Sequence, residues 1–241
     1  MKILEKLNAK QTNPHLNKSV TIAFLGDSVT QGCFEVYMDK DGRIRTKFDY
    51  KNAYSTRVKE ILNLLYPEAQ VNIINSGISG DSAQGGVDRL ERDVLAFNPD
   101  LVVVSYGLND VTDSEEGLSN YLDALTKIFE KINEYGAECI FMTQNYFNTK
   151  ISPHLIPETE ELAKVLQRRQ KTGKLKEYYQ KATLLADKMG IVVCDVYRKW
   201  EAMENGGVDV TELLSNRLNH PIPELHYLFA YSLIETMFDL N

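Results

Sequence analysis

The sequence predicts an α/β fold: a three-layer α/β/α sandwich built on a five-stranded parallel sheet. Two observations predict it. Five short apolar runs rich in β-branched residues, "VTIAFL", "AQVNIIN", "DLVVVSYG", "ECIFMTQN" and "GIVVCDVY", are spread along the chain. Runs this continuous suit strands covered on both faces. The segments between them carry apolar residues at intervals of three and four, the period of a half-buried helix. Alternation of the two patterns reads as βαβ units in a parallel sheet.

Taken in order, residues 1–19 read as a polar lead, with no apolar core of the kind a secretory signal needs. "VTIAFL" then runs straight into "GDSVTQG". An excursion over residues 33–50 carries Asp41-Gly42 between two extended stretches, a hairpin signal. Helical stripes follow: Tyr54, Val58, Ile61 and Leu65; then Val87, Leu90, Val94 and Phe97. Leu118, Leu122, Leu125, Phe129 and Ile132 form a third, and Leu225, Phe229, Leu233 and Met237 the last. A second excursion spans residues 146–179 and carries "NTKISPHLIPE" followed by a helical stretch. Both excursions leave C-terminal strand ends, where open α/β sheets hold their ligands. With no linker or repeat to interrupt this pattern, residues 1–241 read as a single domain.

Composition limits the function. A formal net charge of -7 argues against a nucleic-acid partner, whose phosphates want a basic face. No stretch approaches a membrane span, and a cytoplasmic location is the expectation. The three cysteines are an odd number, so a disulfide framework is not expected. Cys139 and Cys194 lie inside strand-like runs and read as core. Cys33 stands five residues after Ser28, where a reactive role has to be weighed against a buried one. No zinc-ligand spacing, phosphate-cradling loop or dinucleotide fingerprint occurs, so a chemistry without metal or cofactor is expected.

Four segments at C-terminal strand ends contain reactive or donor groups: "GDSVTQG", "NSGISGDS", "YGLND" and "TQN". "LLSNRLNHPIPE" precedes the last helix. Together they offer a serine, glycine amides, an asparagine and a histidine. Acyl transfer needs these types. A serine hydroxyl is a weak nucleophile until a base takes its proton, and histidine suits that near neutrality. The oxyanion that forms needs fixed donors, which main-chain N–H groups and an asparagine amide supply.

These blocks, "FLGDSVTQG", "NSGISGDSAQGG" and "YGLND" in order, with "NHP" before a terminal helix, resemble the SGNH hydrolases, also called GDSL esterases and lipases. The match runs from about Thr21 to Asn241. The resemblance implies a flavodoxin-like sheet of the SGNH type, with Ser28 as nucleophile and His220 as general base. It also implies that the Ser28 and Gly80 amides and the Asn109 side chain serve as oxyanion donors. Asp27 would shape the turn at Ser28 and sit with the substrate-binding residues. In the second Gly-Asp-Ser, Asp81 and Ser82 read as a helix cap, not as a second nucleophile. Of the other histidines, His15 falls in the lead and His154 in the second excursion. His226 lies on the last helix, as a face residue or the alternative base.

One position departs from the family pattern. The usual block is Asp-x-x-His, yet Arg217 stands three residues before His220. An arginine cannot hold an imidazole in the tautomer that a base needs. The ring could instead be oriented by Asn216, by Asp209 or Glu212, or by a main-chain carbonyl that leaves a Ser-His dyad. Phe34, Tyr37, Tyr146 and Phe147 are the candidate lining residues. Aromatics beside charged groups suit a small ester substrate such as a sugar bearing an O-acetyl group. A lipase or thioesterase-type acylhydrolase is the alternative, as is a carbohydrate-binding relic that has lost turnover.

Overall fold

The computed structural model describes residues 1–240. Five parallel strands form the sheet: β1 (Val20–Gly26), β4 (Val71–Gly77), β5 (Leu101–Ser105), β6 (Glu138–Met142) and β7 (Val192–Cys194). Their order is β4-β1-β5-β6-β7. β1 sits between β4 and β5, with Gly26 level with Gly77 on one side and Ser105 on the other. Three strand ends are thereby aligned at one edge, and the loops that leave them must meet there. Ala23, Phe24, Leu25 and Val102 to Val104 are buried, as strands covered on both faces require.

The remaining strands, β2 (Cys33–Met38) and β3 (Ile44–Phe48), make the expected hairpin, and Gly42 at its turn is left-handed with φ 72°. Helices α3 (Tyr54–Leu65), α4 (Ala83–Asp93), α5 (Glu115–Tyr135) and α9 (His226–Phe238) carry the four apolar stripes. Two stripes end on exposed residues, Leu65 and Phe97, the latter beyond α4 in a short 3-10 helix; Leu62 supplies the burial that Leu65 does not.

Two segments differ from expectation. The polar lead is a helix, α1 (Lys2–Thr12), with Ile3 and Leu7 fully buried. Its first turn is tied down by Glu138, whose carboxylate accepts from the Lys2 and Ile3 amides at 2.8 and 2.6 Å. Two apolar residues one turn apart suffice to dock it, although they are too few to stand out as a stripe. The run "GIVVCDVY" is strand only to Cys194. Asp195 then caps α8 (Val196–Asn205) by accepting from the Arg198 amide at 3.2 Å. The helical stretch expected in the second excursion is α6 (Glu160–Lys171) and the start of α7 (Lys174–Lys188). Among the described residues no helix is long and apolar enough to cross a membrane.

Candidate active site

β1 ends at Gly26, and a side chain there would run into Thr30 and the Ser105 carbonyl. That close packing lets the chain turn at once into α2, a single helical turn (Ser28–Gln31). Asp27 is its N-cap, its Oδ1 accepting from the Val29 amide at 3.0 Å. Ser28 is therefore the first helical residue. Its side chain is not spent on the cap, and its main-chain N–H has no partner among the described residues.

The Ser28 hydroxyl meets His220, with Oγ 2.9 Å from Nε2. On the other side of the ring, Nδ1 lies 3.3 Å from the Phe34 carbonyl. A carbonyl only accepts, so the ring proton sits on Nδ1 and the Nε2 lone pair faces the hydroxyl. Cys33 Sγ also lies 3.3 Å from Nδ1. Burial holds the imidazole neutral, lowering its pKa to about 4 against a small opposing effect of the Phe34 carbonyl. An unprotonated base at hydrogen-bond distance from a hydroxyl can take its proton.

None of the three side chains considered for orienting His220 touches the ring. Asn216 instead accepts from the main-chain N–H groups of Leu218, Asn219 and His220 at 2.9–3.0 Å, so it shapes the loop that delivers the histidine. Asp209 pairs with Lys150 at 2.9 Å. Glu212 pairs with Arg217 at 3.2 Å. Arg217 itself is left-handed (φ 59°), and its side chain runs back to the Glu212 and Leu214 carbonyls, away from His220. The acid's place is filled by the hairpin's first two residues. His226, the alternative base, is buried on the Tyr54 amide, which donates to its Nδ1 at 3.0 Å. Burial lowers its pKa to about 3.

Gly80 and Asn109 lie at the same sheet edge, and both are exposed. Gly80 is left-handed (φ 80°), with open space where a side chain would stand, and its N–H has no partner among the described residues. Asn109 Nδ2 donates to the Asp81 carbonyl at 2.9 Å. An amide nitrogen carries two hydrogens, so one is left for a ligand. Ser82 is the N-cap of α4, its Oγ accepting from the Gly85 amide at 3.4 Å, while Asp81 does other work.

The residues expected to line a pocket are distributed otherwise. Asp27 is fully buried beneath Ser28, receiving the Gln144 amide at 2.9 and 3.0 Å, and does not face a substrate. Burial raises its pKa to about 7, against the opposing hydrogen bonds of Gln144 and Val29. The Phe34 ring packs on His226 with centroids 4.7 Å apart, so its carbonyl and not its ring enters the site. Tyr37 is half exposed on the hairpin, level with Arg45. Tyr146 and Phe147 are core residues; Tyr146 packs on Tyr197. The aromatics that do flank the site are Phe48 and Tyr50, exposed and stacked at 6.4 Å. The Tyr50 hydroxyl lies 3.4 Å from Gln31, which in turn accepts from the Ser79 amide beside Gly80.

A buried arginine with no sequence signature ties these loops together. The Arg89 guanidinium, on α4, donates to the Ser76 carbonyl at 2.6 Å and the Gly26 carbonyl at 3.0 Å. It also donates to the Tyr106 hydroxyl at 2.8 Å and pairs with Asp81 at 2.7 Å. One side chain thus joins the ends of β1, β4 and β5 to the loop that carries Gly80. A cavity of about 590 Å³ between α7 and α8 is lined by Tyr179, Tyr197 and Arg198 among others, but not by Ser28, Gly80, Asn109 or His220.

Comparison with known proteins places the chain. The model of the GDSL-like lipase/acylhydrolase family matches residues 24–228, and the chain belongs to that family. An acetylxylan esterase from Geobacillus stearothermophilus is 33% identical over 90 residues, which are 37% of this chain and 39% of that protein. A solved catalytic mutant of an acetylxylan esterase from the same organism superposes with a TM-score of 0.67 at 20% identity. That match covers 91% of this chain and 95% of the other. A two-domain esterase active on acetylated mannans, solved with mannopentaose, gives 0.65 at 20% identity. It covers 98% of this chain, which spans about half (53%) of that protein's length. At such identities the two structures speak to the fold, an α/β sandwich of the SGNH type.

Proposed function

We propose that this chain is a serine esterase that hydrolyses carboxylic esters through an acyl-enzyme, with O-acetyl groups on carbohydrate as its substrate class. The observation that carries the reading is the Ser28 hydroxyl 2.9 Å from a His220 nitrogen whose partner nitrogen is held by a carbonyl. Ser28 Oγ attacks the ester carbonyl as its proton passes to Nε2. The negative oxygen is received by the N–H groups of Ser28 and Gly80 and the Asn109 amide. Nε2 returns the proton to the departing sugar hydroxyl. Water, deprotonated by the same nitrogen, then releases the acid and restores Ser28. The absent aspartate, which made a binding relic worth weighing, is offset by the Phe34 carbonyl.

The chain's own residues supply each step without a metal or cofactor. The substrate class rests on the acetylated polysaccharides that its relatives act on and on the character of the site. Two of its three donors, Gly80 and Asn109, are exposed at the surface, beside a stacked aromatic pair rather than within an apolar tunnel. A pyranose ring suits such a surface better than an acyl chain does. A cytoplasmic location and a single domain over the whole chain belong to the same proposal; three buried cysteines, none in a disulfide, suit a reducing compartment.

The experiment is release of acetate from acetylated xylo- and manno-oligosaccharides by the chain and its Ser28→Ala and His220→Ala variants. Turnover lost in both variants supports the reading; turnover kept in either overturns it. With the imidazole neutral down to about pH 4, kcat/KM should hold level from neutrality to about pH 5 and fall below, as the base acquires its proton.

A further inference from the structure

Two atoms lie within hydrogen-bond reach of His220 Nδ1, and only one of them is main chain. Cys33 Sγ and the Phe34 carbonyl oxygen each lie 3.3 Å from Nδ1. Both come from the first two residues of β2, at the base of the hairpin. Cys33 is fully buried, and its register partner is Phe48. We propose that Cys33 is a positioning residue: its sulfur shares the Nδ1 hydrogen with the Phe34 carbonyl, where an aspartate stands in relatives whose histidine block carries one. The assignment rests on His220 acting as the base, as set out above.

The physical case turns on what the carbonyl cannot do alone. A single acceptor at 3.3 Å is a long hydrogen bond, and it leaves the imidazole free to rock about that contact. A second acceptor beside it fixes the ring plane and keeps the Nε2 lone pair on Ser28 Oγ. A misalignment of a fraction of an ångström there costs rate without changing substrate affinity. Burial pushes the thiol up to about 12, so the sulfur stays protonated and serves as a neutral weak acceptor. The titratable groups packed round the ring are Cys33 on β2 and His226 on α9, with Asp27 beneath the Ser28 turn; Arg217 turns away to Glu212. The place next to Nδ1 therefore holds no charge, unlike that of a Ser-His-Asp triad.

The test uses the full chain with Cys33→Ala, Cys33→Ser and Cys33→Asp. Cys33→Ala should lower kcat roughly two- to tenfold at unchanged KM, the worth of one neutral hydrogen bond. It should also move the Nδ1–H proton resonance of His220 in the substrate-free chain. Cys33→Ser, which keeps an acceptor, should recover part of both. Cys33→Asp should carry the acid limb of kcat/KM upward by about one pH unit or more, because a carboxylate beside the ring favours its protonated form. An alanine variant with wild-type kcat and an unmoved resonance overturns the proposal, as does a serine variant no better than alanine. Since the resonance is read without substrate, it tests this contact even if Ser28→Ala were to keep full turnover and sink the functional reading.

Discussion

The two Gly-Asp-Ser tripeptides share a sequence and a position at the end of a strand, yet they are built differently. In the first, Gly26 is still strand, Asp27 is the helix cap and Ser28 is already inside the turn. In the second, Gly80 lies beyond the strand, Asp81 follows it and Ser82 is itself the cap. A helix start shifted by one residue decides which hydroxyl is free. Ser28 Oγ goes to His220, whereas Ser82 Oγ goes to the Gly85 amide. The aspartates diverge in the same way. Asp27 is buried without a cation, held by an amide side chain and a main-chain N–H. Asp81 is paired with Arg89 and bonded by the Tyr106 hydroxyl. In the proposed mechanism the first tripeptide presents the nucleophile, and the second holds the loop that carries the Gly80 amide.

The comparison can be broken most forcefully at the two serines. Ser28→Ala should cost at least a thousandfold in ester hydrolysis, toward the roughly millionfold losses of nucleophile removal. A loss under tenfold would contradict the assignment. Next comes Arg89→Met, which leaves Asp81 without its cation and the Gly26 and Ser76 carbonyls without a donor. Stability should drop by about 3–5 kcal/mol, read as a lower urea midpoint, and an unchanged midpoint would remove Arg89 from its bracing role. Asn109→Ala should lower kcat roughly a hundred- to a thousandfold, as the loss of one oxyanion donor does; a change confined to KM would count against that role.

Asp27 sharpens the contrast through pH. Its folded value of about 7 lies above the ordinary 3.8, so the folded chain holds this proton more tightly than the unfolded chain. Stability should therefore decline as pH rises from about 4 through 7. Asp27→Asn lacks this titration, and its urea midpoint should gain on the wild type across that window by the equivalent of a few kcal/mol. A constant offset between the two would show that the carboxyl does not titrate there. The smallest effect belongs to Ser82→Ala: about 1 kcal/mol of stability from the lost cap, with kcat within about twofold. A large fall in kcat would mean that the second tripeptide does more than cap.

The same residues show what a sequence can and cannot convey. Strands buried on both faces announce themselves as unbroken apolar runs, and a parallel sheet then obliges their C-terminal loops to converge. That made it possible to look for Ser28, Gly80, Asn109 and His220 in one place although up to 192 positions separate them. The group on His220 Nδ1 left no such trace. Any residue can offer a main-chain carbonyl, so the one from Phe34 could not be distinguished from the side chains of Asn216, Asp209 and Glu212. Arg89 was hidden because an arginine on a helix reads as a solvated face until packing shows its head among strand ends. Tyr146 and Phe147 lie in what the sequence presents as an open excursion, yet Tyr146 packs on Tyr197 of α8 and the Phe147 amide donates to Gln170 of α6. Helix α1 passed for a polar lead because two docked residues, Ile3 and Leu7, carry it.

The decisive measurement is reaction of the chain with a fluorophosphonate, followed by mass mapping of the modified peptide. A hydroxyl made nucleophilic by an adjoining imidazole should give a single adduct on Ser28, absent after His220→Ala. An adduct on Ser82, or none in a chain that still hydrolyses esters, would mean that the wrong turn was given the chemistry.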